Sequence, residues 1–85
     1  MKKEEIEKYK RAYLKAKVRA ASVAPHFSLP LAQIRVVAIA DESRSEPAAT
    51  DGKVIFLFPR FLSESNETRA FILLHEALHL SLIHI

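Results

Sequence analysis

Residues 70–85 read AFILLHEALHLSLIHI, and this apolar stretch decides the fold of the chain. Within it, His75 and His79 are four residues apart, so on a helix their side chains lie on the same face, one turn from each other. That spacing lets both imidazoles reach one metal ion, and Glu76 can then act on a water molecule bound there. The stretch is apolar nearly all round, which predicts a helix at the buried centre of the domain.

Zinc is the metal that this pattern predicts. A catalytic zinc has three protein ligands and an open position for water, and His75 and His79 would be two of the ligands. Zinc lowers the pKa of its water toward neutrality, so Glu76 can take the proton as general base and pass it to a leaving amine. The reaction we expect is hydrolysis of a peptide bond. The competing interpretation is a helix that carries unrelated polar residues.

A third zinc ligand is not evident in the sequence. On a continuous helix, His84 is rotated by about 140° and displaced by about 7.5 Å from His79, so the two cannot share a metal unless the helix breaks. We therefore interpret His84 as a packed or surface histidine. The carboxylates elsewhere have no spacing that identifies a ligand. We expect a truncated domain, or a site completed by a partner chain or by the terminal carboxylate.

An N-terminal helix is predicted over residues 3–22. Apolar side chains recur there every three or four positions, with lysines and arginines between them. Glu4 and Lys8, and likewise Glu7 and Arg11, have the i,i+4 spacing and the orientation that favour ion pairs on a helix. Pro25 follows the helix and cannot continue it.

Strands are predicted in the middle of the chain. Residues 33–40 are rich in β-branched side chains, and residues 48–58 are typical of a hairpin with Asp51-Gly52 as its positive-φ turn. Pro59 ends the second strand of the hairpin. The order of helix, two or three strands and helix predicts a single α+β domain over residues 1–85.

Composition and charge narrow the class of protein. The chain is 49% hydrophobic and 27% charged, has no cysteine, and carries a net charge of +3. Residues 1–20 hold eight basic and three acidic side chains, a net +5, which we interpret as a solvated helix face rather than a nucleic-acid surface. The N-terminus lacks the features of a secretory signal, and residues 70–85 are too short and too polar to span a bilayer. We expect a soluble cytoplasmic protein that binds neither nucleic acid nor membrane.

Several of these residues together resemble a known family. The similarity is to the metallopeptidase domain found beside von Willebrand-type domains in prokaryotes, and to the very small zincins called minigluzincins. The residues that carry it are Thr50-Asp51-Gly52, Val54-Ile55-Phe56, Pro59, the run ILLHEALH at residues 72–79, and His84.

The resemblance covers roughly residues 33–85 and implies a minimal zincin. Such a domain has a backing helix, a small sheet whose edge strand pairs with an extended peptide, and an active-site helix. It implies that His75 and His79 bind zinc and that Glu76 is the general base. We expect residues 54–58 to be the edge strand. Minigluzincins are latent forms, and we expect this chain to be latent or incomplete as well.

Two further expectations concern partners and a rival function. The substrate would be a peptide or a protein, and apolar residues at the end of the last helix would allow pairing with a second copy of the chain. The rival function is a non-catalytic interaction module that keeps a metal only to stabilise its fold. A structural zinc needs four protein ligands, and a chain with no cysteine and few histidines is poorly supplied for that role.

Overall fold

The computed structural model describes residues 2–27 and 33–83, and it confirms the α+β fold. A short 3-10 helix, Pro25–Phe27, follows the first α-helix. The elements in chain order are α1 (Lys3–Val23), β1 (Arg35–Ala38), β2 (Ala48–Thr50), β3 (Val54–Leu57), α2 (Pro59–Ser63) and α3 (Asn66–Ile83). None of the described helices is long and apolar enough to cross a lipid bilayer.

Helix α1 packs along α3 through a stripe of small side chains. Tyr9, Ala12, Ala16 and Ala20 recur every three or four residues and are the buried residues of α1. Ala16 and Ala20 are completely buried, and alanine lets two helix backbones approach closely. The helix predicted over residues 3–22 is therefore confirmed, and its buried face is the one that packs against α3.

The three strands form one mixed sheet in the order β1-β3-β2. β1 runs parallel to β3, with Val36 beside Ile55, and β2 runs antiparallel to β3, with Ala48 beside Leu57. Ile55 and Leu57 are buried under the helices. The strand predicted over residues 33–40 is shorter than expected, since only Arg35–Ala38 joins the ladder.

The expectation that residues 54–58 form an edge strand is wrong, because β3 is the central strand. It is hydrogen-bonded to β1 on one side and to β2 on the other. A hairpin motif shows that β2 and β3 pair, but it does not show where a distant strand such as β1 will add. The most apolar strand takes the central position, where its backbone is paired on both sides and its side chains reach the core. The edge strands among the described residues are β1 and β2.

The hairpin turn forms as predicted. Gly52 has φ 96°, the positive value that glycine adopts without steric cost. The Asp51 carboxylate accepts hydrogen bonds from the backbone N–H groups of Lys53 (2.9 Å) and Val54 (3.1 Å), which lower the pKa of Asp51. The ionised carboxylate therefore stabilises the turn above its usual pKa, and that contribution is lost as the pH falls through the lowered value. Thr50 closes the turn by donating from Oγ1 to the carbonyl of Val54 at 2.7 Å.

Helix α2 was not predicted from the sequence. Pro59 ends the strand as expected, but it then serves as the first residue of a five-residue helix, where its missing N–H costs nothing. Phe61 of α2 is fully buried. The Ser65 side chain accepts a hydrogen bond from the N–H of Thr68 at 3.2 Å, and this caps the N-terminus of α3.

Helix α3 is buried along one side rather than all round. Ala70, Leu73 and Ala77 lie in the core with Phe61, Ile55 and Leu57. On the other side, Phe71 is 67% exposed and Leu78 is 47% exposed. The apolar sequence of this helix is therefore wider than the face that its neighbours α1 and β2 cover.

Replacing Gly52 with alanine tests the turn. Because φ 96° crowds a Cβ atom, we expect Gly52→Ala to lower the free energy of unfolding by about 1–2 kcal/mol. Urea titration followed by circular dichroism would measure the change. Lys53→Ala is the control, since Lys53 is exposed and has ordinary backbone angles. An unchanged midpoint in Gly52→Ala would contradict the described turn.

Two phenylalanines test the placement of the core. Phe61 is fully buried and Phe71 is 67% exposed, so the same substitution should have very different effects. We expect Phe61→Ala to cost about 3–5 kcal/mol and Phe71→Ala to change the unfolding free energy by less than about 0.5 kcal/mol. If Phe61→Ala is unfolded, Phe61→Leu provides the milder comparison. Equal losses at the two positions would contradict the buried position of Phe61 and the exposed position of Phe71.

Candidate metal centre

Helix α3 presents the two predicted histidines together on its exposed side. His75 and His79 are one turn apart, and their ring centroids are 4.3 Å from each other with the ring planes tilted by 60°. Both residues are exposed, and the His79 side chain keeps 47% of its accessible surface. The two imidazoles can therefore be reached by a metal ion without any movement of the backbone.

Glu76 lies between the histidines and the core. It is only 8% exposed and is the one charged residue buried among the described part of the chain. Its Oε2 atom is 3.9 Å from Nδ1 of His79, which places the carboxylate beside the histidine pair. Burial restricts the carboxylate to a narrow set of orientations. The structure therefore brings all three predicted site residues together.

The three side chains offer a donor set that fits zinc. One donor atom from each of His75, Glu76 and His79 lies within 4.8 Å of the other two. In a tetrahedral site with Zn–N distances of about 2.0–2.1 Å, two ligand nitrogens are about 3.3 Å apart. Rotation of the exposed imidazole rings can bring the donor atoms from up to 4.8 Å to this shorter separation. Among residues 2–27 and 33–83, this is the group of metal-ligating side chains close enough to hold an ion.

The structure brings no third ligand to the histidines from the residues that it describes. His84 lies outside them. Five carboxylates elsewhere are engaged at other places: Asp41 with Ser43, Glu46 with Arg44, Asp51 in the hairpin turn, Glu64 with Arg60, and Glu67 with Arg19. The described part of the chain thus supplies two imidazole ligands, with the Glu76 carboxylate beside them.

Two features of α3 and its surroundings were not evident from the sequence. The edge strand β2 packs against α3, whereas the strand expected at the edge is in the middle of the sheet. Phe71 and Leu78 also lie exposed on α3, one turn from His75 on either side along the helix. No local pattern could identify these surroundings, because they depend on which strand and which helix face remain uncovered.

Comparison with known proteins agrees with this geometry. A family model with the description "Putative metallopeptidase domain" matches residues 8–85. The chain belongs to this family. The match to the metallopeptidase-domain family includes most of α1, the whole sheet and the helix that carries the histidines. No curated protein and no solved structure matches the chain.

Zinc content tests the centre directly. After dialysis against buffer containing trace zinc, we expect the protein to retain about one zinc ion per chain, measured by elemental analysis. The double substitution of His75 and His79 by alanine should abolish retention, because it removes both imidazole donors. His26→Ala is the matched control, since His26 lies in the 3-10 helix and not in the centre. Zinc retention by the double variant would contradict the site.

Proposed function

We propose that this chain is the core of a zinc-dependent metallopeptidase of the gluzincin type. The observation that carries the proposal is the convergence of the His75, Glu76 and His79 donors within 4.8 Å. Membership of the metallopeptidase-domain family supports the reaction class. A nearly buried carboxylate beside two exposed imidazoles is an arrangement suited to catalysis, since a purely structural site has no need of an adjacent base.

Each of the three residues has a distinct role in the proposed reaction. His75 and His79 hold the metal from the exposed side of α3. When bound, zinc supplies Lewis-acid chemistry that makes water more acidic and a peptide carbonyl more electrophilic. Glu76 accepts the proton from the attacking water as the oxygen bonds to the carbonyl carbon. The same carboxyl then gives that proton to the amine nitrogen as the C–N bond breaks.

The substrate in this proposal is an extended peptide. Edge strands have unpaired backbone groups, and a peptide can add to them as a further strand. β2 is the edge strand that packs against α3, so we propose it as the strand to which the peptide adds. This replaces the earlier expectation for residues 54–58, which the central position of β3 excludes.

The type of metallopeptidase, its location and its latency are also proposed here. We infer a minigluzincin-like domain that acts in the cytoplasm and is latent until a third ligand joins the histidines. The exposed Phe71 and Leu78 beside the histidine pair support a covering partner on this face of α3, and a second copy of the chain is the partner that we propose. Its presence would bury the metal centre and restrict access of substrate.

The substitution Glu76→Gln separates catalysis from metal binding. Glutamine has nearly the same shape but cannot accept a proton, so we expect zinc content to stay at the wild-type level while hydrolysis falls by about 10²–10⁴-fold. Cleavage of an unfolded protein, followed by mass spectrometry, would measure the loss. Glu67→Gln is the control on the same helix, because Glu67 forms only a surface ion pair with Arg19.

Two results would overturn or redirect the proposal. Hydrolysis that survives Glu76→Gln would show that Glu76 is not the base. A wild-type protein that binds zinc and gains thermal stability from it, yet cleaves nothing as monomer or dimer, would favour the metal-stabilised interaction module instead.

A further inference from the structure

A groove beside α1 is lined mainly by positively charged side chains. It has a volume of about 410 Å³ and lies between α1, the end of α2 and the first turns of α3. The residues that line it are Lys8, Arg11, Ala12, Lys15, Leu62 and Arg69. We call this the basic groove. Four of its six lining residues are cationic, the other two are apolar, and none is acidic.

None of the four cations of the basic groove forms an ion pair with a carboxylate among the described residues. The Arg–Glu ion pairs among the described residues involve Arg19, Arg44 and Arg60, none of which lines the groove. The predicted i,i+4 pairs of Lys8 and Arg11 are not among them. Instead, Nε of Arg11 donates to the backbone carbonyl of Glu7 at 3.5 Å. A bond to a neutral carbonyl leaves the full positive charge of Arg11 in place.

Arg69 forms a fixed wall of the basic groove. Its Nε donates to the carbonyl of Phe61 at 2.9 Å, Nη2 donates to the carbonyl of Leu62, and the guanidinium lies 5.7 Å from the centre of the Phe61 ring. These contacts immobilise the side chain but do not cancel its charge, because both acceptors are neutral. An anion bound there would not need to order the guanidinium first.

We propose that the basic groove docks an acidic peptide segment that carries an apolar side chain. Lys8 and Lys15 are about 10 Å apart along α1, a distance that three residues of an extended peptide span. Alternate carboxylates of such a peptide can therefore face successive cations. The floor of buried Ala12 and half-buried Leu62 accepts an apolar side chain between them.

The composition of the groove favours a peptide over a nucleic acid. No aromatic side chain lines it, so it offers no surface on which a base could stack. An apolar floor has no counterpart in a phosphate backbone, whereas it complements a leucine or isoleucine. The groove is also separate from the metal centre, because Arg69 and His75 are about 120° apart around α3. A peptide segment docked in the basic groove would therefore be a contact additional to the metal centre.

Peptide binding tests this docking site. The probe is a fluorescein-labelled extended peptide in which glutamates alternate with two leucines, and its Kd is measured by fluorescence anisotropy at low salt. We expect the triple substitution of Lys8, Arg11 and Lys15 by glutamine to raise the Kd at least about tenfold. These positions are exposed on α1 and glutamine is a good helix former, so circular dichroism should stay unchanged.

A charge-matched control separates the groove from general attraction. Substituting Lys2, Lys3 and Lys53 by glutamine removes the same net charge away from the groove and should leave the Kd within about twofold of wild type. Replacing both leucines of the peptide by serine should weaken binding several-fold. Lys15→Glu, a single substitution, should weaken it as well, which guards against a folding defect in the triple variant.

Several outcomes would overturn the inference. They are failure of the wild-type protein to bind the peptide, equal loss in the two triple variants, or no effect of the leucine-to-serine change. Tighter binding of an oligonucleotide of equal charge, abolished by the same groove substitutions, would identify a nucleic-acid surface instead. None of these results depends on zinc or on cleavage, so failure here leaves the zinc and hydrolysis experiments to decide the proposed function on their own.

Discussion

The close contact between α1 and α3 is the interaction on which the remaining structure depends. The completely buried Ala16 and Ala20 of α1 lie in one core with the buried Ala70 and Ala77 of α3. Small side chains on both helices bring the backbones together, and this fixes how far α3 is rotated about its own axis. A chain with no cysteine and a small core has no disulfide to hold that rotation in place.

The rotation of α3 determines what its polar residues can do. Ala77 points into the core, so its neighbour Glu76 is drawn inward while His75 and His79 remain outside. A carboxylate held against apolar neighbours has few alternative orientations, and the exposed imidazoles can rotate to meet an ion. In the proposed reaction, one helix would therefore supply both a carboxylate of restricted orientation and imidazole ligands that can adapt. The packing of the opposite side of α3 accounts for this difference in exposure, because rotation of α3 about its axis would expose Glu76 or bury His79.

Local patterns in the sequence predicted the elements whose conformation is set by residues close to them in the sequence. The helix over residues 3–22, the Asp51-Gly52 turn and the grouping of the histidines with Glu76 follow from spacing alone. Features set by distant contacts were not predictable. The central position of β3 depends on pairing with β1, and the exposure of Phe71 depends on which face α1 and β2 cover. The five-residue α2 was missed because a proline followed by few residues looks like a turn.

Gly52 is the only glycine in the sequence and, among the described residues, the only one with a positive φ. Domain closures usually use hinge positions that absorb large changes in backbone angle. Gly52 is in the turn between β2 and β3, and no glycine lies in α3, the helix that carries the histidines. The centre should therefore adapt to a metal by side-chain rotation on the picosecond to nanosecond scale, rather than by slower backbone opening.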